Sequence, residues 1–332
     1  MGVDVVNLVR IDGGVLQRIE HAAPRAVAVF RELGPLISAI VLTKSYGRHR
    51  GIVDLDLAVQ PGEVFGYLGP NGAGKTTTIR LLLDYIRPTR GSVSILGLGS
   101  HEHSREIRRR VGYLPGELRL YSSLSGRELV SYFANLRGGV ARERVDELAA
   151  RLNCDLAREI RTLSSGNRQK LGLIQAFMSD PELLILDEPT NGLDPLVQQT
   201  FYDLVREARA AGRTVFISSH VLPEVERVCD RVGILREGRL VAVERIADLR
   251  AREIRKLEIE FDAPIAPDAF AGVAGIRDVE VEGDTLRCTV VGSMDPVLKA
   301  AARHEIRVLS SVEPSLEEVF LAYYGEPVGD AA

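Results

Sequence analysis

The chain has 332 residues, 45% of them hydrophobic and 27% charged, with a formal net charge of -4 at pH 7. That length suffices for two hydrophobic cores and does not exclude a third, and the mildly acidic balance gives no reason to expect nucleic acid as a partner. No stretch has the continuous apolar length needed to span a bilayer, and the N-terminus lacks the basic segment, apolar run and small-residue cleavage site of a leader, so the chain is expected to stay in the cytosol.

Residues 1–38 carry no recognisable chemistry. Pro24 and Pro35 interrupt a helical pattern around Val15 to Ile19, and the segment reads as a flexible extension or the product of an upstream start. A first strand is expected from Ile37 through Thr43. A second, Ile52 to Val59, alternates apolar and polar side chains as a strand with one solvated face does, and Pro61-Gly62 ends it. Next, the apolar run Glu63 to Leu68 reads as a buried strand, and Ile79 to Leu83 as a helix. Between them Gly69 to Thr77 reads GPNGAGKTT and fills the G-x-x-x-x-G-K-[ST] template in the strand-then-helix context it requires. Glycines at Gly69, Gly72 and Gly74, with Asn71 and Ala73 between them, let backbone N–H groups and a helix N-terminus approach a polyphosphate. Lys75 supplies a point charge to the outer phosphates, Thr76 a hydroxyl for Mg²⁺, and Thr77 a contact to an inner phosphate.

Short apolar strands then alternate with amphipathic helices, the order of a parallel sheet covered by helices. From about Leu118 to Leu163 the pattern turns helical and charge-rich, with Arg127 to Phe133 and Arg144 to Leu148 as its clearest faces, and reads as an inserted helical subdomain. The sheet resumes at Leu183 to Leu186 and at Thr214 to Ser218. Leu183 to Leu186 is followed by Asp187 and Glu188, two carboxylates at the end of a strand where a parallel sheet presents ligand-facing groups. Asp187 suits Mg²⁺ through its water shell, and Glu188 suits polarising a water for attack on a γ-phosphate; the plain alternative is a strand followed by an acidic turn. From Ile254 the pattern is strand (Lys256 to Phe261), helix (Pro267 to Val273), hairpin (Val279 to Val291, turning at Gly283-Asp284), helix (Pro296 to Arg303) and strand (Ile306 to Leu309), which is the ferredoxin-like order. A closing helix, Leu316 to Leu321, precedes a polar tail. The cysteines Cys154, Cys229 and Cys288 are scattered and read as reduced structural thiols.

Around the two acids lie Leu163-Ser164-Ser165-Gly166-Asn167-Arg168-Gln169, Gly192-Leu193-Asp194-Pro195 and Ser218-Ser219-His220. Together with the phosphate loop, these residues resemble the ATP-binding subunit of an ABC transporter, with the principal motifs in family order over about residues 39–325. The resemblance implies an α/β fold. A P-loop NTPase core of the ABC ATPase kind would occupy 39–253, with its helical subdomain at about 118–163, followed by a small α+β ferredoxin-like domain at 254–326 and a tail at 327–332. It implies ATP and Mg²⁺ as cofactors, bound between two such domains. Ser164, Gly166 and Asn167 match the signature contacts to the γ-phosphate across a dimer, and Asp194 matches the loop linking the two active sites. His220 matches the switch histidine at the γ-phosphate. Tyr46 matches the aromatic residue that stacks on adenine, with strand-end packing as its plain alternative.

Two positions depart from the family pattern. After Val111-Gly112-Tyr113-Leu114-Pro115, where glutamine is usual, stand Gly116 and Glu117; Glu117 would replace the glutamine at the metal and attacking water. Asn167 stands where glutamine is usual in the signature and shortens its reach. The resemblance further implies a partner ATPase, a second copy or a related subunit, and a separate integral membrane permease docking near Tyr113 to Tyr121. The chain would sit at the cytoplasmic face of the membrane. The signature and C-terminal domain look like those of ABC-2 type exporters, including drug-resistance pumps. The alternatives are an ATP-sensing regulator with little turnover and the ATPase of an importer.

Overall fold

The computed structural model describes residues 34–312 apart from 48, 252, 253 and 267. The N-terminal segment before residue 34, the expected helix Leu316 to Leu321 and the tail lie outside the described residues. Fourteen strands are described, in three sheets.

The first sheet is antiparallel, with the order β2 (His49–Val59), β1 (Ile37–Tyr46), β4 (Arg90–Ile95), β5 (Leu98–Gly99). The second is mostly parallel. Its order is β10 (Arg239–Arg245), β9 (Arg231–Arg236), β3 (Val64–Leu68), β8 (Thr214–Ser219), β7 (Leu183–Asp187), β6 (Val111–Leu114), and every neighbouring pair is parallel except β9 with β10. Every residue of β3, β7 and β8 is buried, as strands covered on both faces are. Burying each large apolar side chain there contributes about 1.5–3 kcal/mol.

Helix α1 (Lys75–Leu82) follows β3 directly, and Ile79, Leu81 and Leu82 tie it to the core shared with the antiparallel sheet. After α2 (Ser104–Arg110) and β6, the charge-rich region forms α3 (Gly126–Leu136), α4 (Arg142–Arg151) and a short 3-10 turn at Ile160–Thr162. Residues 118–125, expected to be helical, are turn and extended chain. The helix waits until Ser125 because Ser125 and Glu128 form a reciprocal capping box: the Ser125 N–H donates to Glu128 Oε2 at 2.8 Å and the Glu128 N–H to Ser125 Oγ at 3.2 Å. Helix α5 (Ser165–Phe177) then runs beneath this region against β6, burying Leu171, Leu173, Ile174 and Phe177. Helices α6 (Pro195–Ala210), α7 (Leu222–Val228) and α8 (Ile246–Ala251) complete that side of the sheet.

The last sheet is antiparallel, in the order β12 (Ile276–Glu282), β13 (Thr285–Val291), β11 (Ile254–Phe261), β14 (Ile306–Val312). Taking its strands in chain order, the arrangement is 2-3-1-4, that of the ferredoxin-like unit. Helix α9 (Asp295–Ala301) supplies the second crossover. The helix expected over Pro267 to Val273 is not formed at residues 268–273. Hydrogen bonds there run from Ala271 to Asp268 and from Val273 to Phe270, three residues back, and Gly272 turns the chain at φ 78°. The segment still buries Phe270 against Phe261 and His304.

Gly112 of β6 lets α5 approach the parallel sheet, because a Cβ built on it would lie 2.2 Å from the Ala176 carbonyl oxygen of α5. Backbone cannot yield as a side chain does. Gly112→Ala should therefore destabilise by about 1–3 kcal/mol, seen as a lower Tm by calorimetry with nucleotide affinity retained.

Candidate active site

Strands β3, β8 and β7 end at one edge, with Leu68 level with Ser219 and Asp187 level with Ser218. Three loops therefore meet where a parallel sheet binds ligands. The loop after β3 curls back on itself: Gly72 and Gly74 adopt φ of 81° and 112°, a region closed to most side chains. The Gly69 N–H donates to the Ser219 carbonyl at 3.2 Å, and the Ala73 carbonyl accepts from the Gly238 N–H at 2.9 Å, so neighbouring strands brace the loop from both sides. Lys75 is buried; its ammonium donates to the Gly69 carbonyl at 2.6 Å and the Pro70 carbonyl at 3.3 Å, and lies 3.1 Å from Glu188 Oε1.

Asp187 is fully buried and both its oxygens are satisfied. Thr76 Oγ1 donates to Oδ2 at 2.8 Å, and Ser218 Oγ to Oδ1 at 2.5 Å. Ser218 in turn accepts from the Glu188 N–H at 3.1 Å. Glu188 has φ 51°, a left-handed conformation uncommon for a residue with a side chain. That turn points its carboxylate back over the loop, where His220 Nδ1 lies 2.8 Å from Oε2. An ionised carboxylate only accepts, so this contact places the imidazole hydrogen on Nδ1. Glu188 Oε1 is buried and accepts no hydrogen bond; its contact with Lys75 is ionic alone.

These groups border a cleft of about 800 Å³ whose lining includes Asn71, Gly72, Gly74, Lys75, Thr76, Thr77, Glu117 and Glu188. Glu117 does not reach the Thr76–Asp187 pair: it is exposed and holds Arg119 at 3.3 Å. Gly116 stands against Asp187 instead, and a Cβ there would come within 3.0 Å of Oδ2. Thr76 and Asp187 are hard oxygen donors that suit Mg²⁺, which takes one or two protein oxygens and fills its remaining positions with water and phosphate.

The other expected residues do not line this cleft. Ser164 caps α5, its hydroxyl accepting from the Asn167 N–H at 3.3 Å and keeping its own hydrogen to donate. Gly166 packs on the loop after β7, where its Cβ would meet the Gly192 carbonyl at 2.3 Å. Asp194 caps α6 by accepting from the Val197 N–H at 3.0 Å. Tyr46 is exposed at the end of β1, with the Lys44 ammonium 5.3 Å from its ring centre. Its ring neighbours Gly51, whose carbonyl in turn approaches Gly74 of the phosphate loop.

The family model of the ABC transporter matches residues 52–191. The bacitracin transport ATP-binding protein BcrA of Bacillus licheniformis is 35% identical over 301 residues, covering 88% of this chain and 98% of that one. The chain belongs to the ATP-binding proteins of ABC transporters. It binds ATP and is an ATPase. The Nod factor export ATP-binding protein I of Paraburkholderia xenovorans (strain LB400) is also 35% identical, over 86% of this chain and 96% of its own. Among solved structures, an ATP-binding subunit of an ABC transporter is 31% identical with a TM-score of 0.60, covering 65% of this chain and 92% of that one. A dimeric ATP-binding cassette in a post-hydrolysis state, bound to ADP and Pi, shares the fold at 22% identity and a TM-score of 0.59, over 63% of this chain and 98% of that one.

Several residues of this ABC ATPase site carried no assigned role in the sequence reading. Ser218 was visible only as a neighbour of His220. Buried Gln169, from the signature helix, donates to the Glu188 carbonyl at 3.2 Å and the Pro189 carbonyl at 3.1 Å. Glu224 accepts from Thr190 at 2.7 Å and Ser219 at 2.9 Å, tying the loops after β7 and β8 together; nothing in its sequence neighbourhood announces this. Tyr113 lines the cleft, and burial followed by the negative Asp187 pushes its phenol above its usual range.

Ser218→Ala removes the donor from Asp187 Oδ1 and leaves that buried oxygen unpaired at a cost of about 1–3 kcal/mol, while the Glu188 N–H keeps the Ser218 backbone carbonyl at 3.2 Å. Chemical denaturation should show a lower midpoint for Ser218→Ala, with a smaller loss for Ser218→Thr, which keeps the hydroxyl.

Proposed function

We propose that this chain is the ATP-hydrolysing subunit of an ABC exporter, acting as a dimer with a second copy or a related ATPase and powering a separate membrane permease. The observation that carries the reading is the division of the site. Lys75 and Glu188 line one cleft, with His220 against Glu188, while Ser164, Gly166 and Asn167 stand apart from it, so each chain offers a phosphate loop to one nucleotide and a signature loop to another. The bacitracin transport and Nod factor export relatives support the export direction. Among the described residues no helix is long and apolar enough to cross a membrane, and the reading assigns that task to the permease, which holds the ATPase at the cytoplasmic face. The permease docks beside Tyr113 to Tyr121.

In this mechanism the phosphate loop, Gly69 to Thr77, binds the polyphosphate, and Tyr46 stacks on adenine. Lys75 exchanges its two carbonyl contacts and Glu188 for the outer phosphates. Thr76 and Asp187 would hold Mg²⁺, with Glu117 as a further oxygen donor for it. The ion supplies charge stabilisation at the phosphates. Glu188 Oε1, which accepts no hydrogen bond, takes a proton from the attacking water, and His220 orients that carboxylate and faces the γ-phosphate. Ser164, Gly166 and Asn167 of the second chain donate to the γ-phosphate from a helix start, with Asp194 at the seam. Positioning and charge stabilisation account for most of the rate. Residues 254–326 form an accessory domain. A second reading, an ATP-sensing regulator, draws on Gly116, which offers no side chain to the metal or water.

The decisive comparison is Mg²⁺-ATPase activity of the chain copurified with its permease from native membranes, wild type against Glu188→Gln. The expected result is a fall in kcat of about 100-fold or more with ATP binding retained. Absence of turnover in the wild type with the permease present would favour the sensor. In the same assay Glu117→Gln should shift the Mg²⁺ concentration for half-maximal rate; an unchanged Mg²⁺ dependence and rate would remove Glu117 from the metal site.

A further inference from the structure

Glu188 and His220 meet at 2.8 Å, yet they leave the ends of two different strands, β7 and β8. One hydrogen bond between two side chains does not fix their separation, so the backbone on either side of them has to be held. On the strand side Ser218 does this, its carbonyl and its hydroxyl both accepting from the Glu188 N–H. On the loop side a single side chain spans the two, Glu224 in the first turn of α7.

Each Glu224 oxygen takes a hydroxyl from one of the two segments. Thr190 Oγ1 donates to Oε1 at 2.7 Å, and Ser219 Oγ donates to Oε2 at 2.9 Å. Thr190 stands two residues after Glu188 and Ser219 immediately before His220, and both are buried. Hydrogen bonds to an ionised carboxylate are about twice as strong as neutral ones. Ser219 Oγ also accepts from the Val221 N–H at 2.9 Å, so the orientation of this hydroxyl closes the turn that carries His220. With Glu224 truncated, the Ser219 hydrogen turns to the Val221 carbonyl, 3.3 Å away, and the turn tightens around a different bond. The Thr190 hydroxyl makes no other hydrogen bond among the described residues, so the loop after Glu188 loses its tie to α7 outright.

We infer that Glu224 is a positioning residue for hydrolysis, setting the separation of Glu188 and His220 without touching the nucleotide. The inference rests on the reading that Glu188 takes the proton from the attacking water. Glu224 does not line the cleft, and it makes no hydrogen bond to the loop Gly69 to Thr77 that holds the phosphates. Its removal therefore acts on the reacting groups and leaves binding in place. A misplacement of about 1 Å at such groups costs on the order of 100-fold in rate, whereas a brace that served stability alone would lower Tm and leave the rate of the folded molecule unchanged.

The test is Mg²⁺-ATPase activity of the full chain copurified with its permease. Glu224→Ala should lower kcat by about 10–100-fold, with KM for ATP and the Kd for ATP measured without Mg²⁺ both within about twofold of wild type. Glu224→Gln keeps the shape and one acceptor oxygen and should fall between the two; it also supplies the measurement if Glu224→Ala folds poorly. Thr190→Val should lower kcat by itself and add nothing to Glu224→Ala, while Thr190→Ser restores the rate. Combined with Glu188→Gln, Glu224→Ala should cause a loss far short of the product of the two single losses, because the group it positions no longer acts. Wild-type kcat in both Glu224 variants, a loss carried by the ATP Kd instead of kcat, or single losses that multiply in full each overturns the inference. Glu188→Gln alone reports on the base: turnover retained there overturns that reading, whereas turnover retained in the Glu224 variants beside an inactive Glu188→Gln overturns the positioning role alone.

Discussion

Two successive residues at the end of one buried strand carry carboxylates, and most of the site follows from having to accommodate them. A buried charge left without partners costs several kcal/mol, and β7 alone has no donors to offer at that edge. The donors come from its neighbours in the sheet. Ser218 arrives from β8, hydrogen-bonded to β7 in register, and Thr76 from the helix that β3 feeds on the far side of β8. With β8 beside β7 and β3 next beyond it, the Ser218 and Thr76 hydroxyls reach the two oxygens of Asp187 from the same side of the strand. The strand order is thus tied to the coordination chemistry at the strand ends.

Glu188 is handled differently from its neighbour, and the difference separates their roles. Asp187 is satisfied on both oxygens and held between hydroxyls, so it is rigid. Glu188 leaves the strand in a left-handed turn stabilised by the Ser218 contacts, a conformation that costs about 1–3 kcal/mol and persists only where its surroundings enforce it. The result is a carboxylate with one oxygen on His220 and one facing Lys75 without a hydrogen bond. In the proposed mechanism Lys75 exchanges its present partners, two carbonyls and Glu188, for the arriving phosphate, and the exchange frees Glu188 for water.

Much of this was legible because the phosphate loop and the strand ending in Asp187-Glu188 are local in sequence: the residues that do the chemistry are also those that set the backbone. Strand positions in the core were legible from apolar runs for the same reason. Residues acting across the sequence were not. Gln169 reaches Glu188 and Glu224 reaches Thr190 only after the loops after β7 and β8 are brought together. The missing helix at 268–273 was misread because its apolar residues have helical spacing, while Gly272 and Gly275 take left-handed turns that no pattern of apolar residues reveals.

The contacts between the signature helix and the loop after β7 bear on how a dimer would work. Gly166 lies against Gly192 so closely that no side chain fits between them, and Gln169 bonds the carbonyls of Glu188 and Pro189. In the proposed dimer the signature of a chain serves one nucleotide and Glu188 of the same chain serves the other. A γ-phosphate drawing on Ser164 and Gly166 at the first site therefore pulls on the backbone that carries the base of the second. Gln169 is buried and has no water to fall back on, so its two hydrogen bonds resist separation of these elements and make them shift together. Coupling of the two sites requires no long pathway, because a single turn of helix and a single loop in contact within one chain connect them.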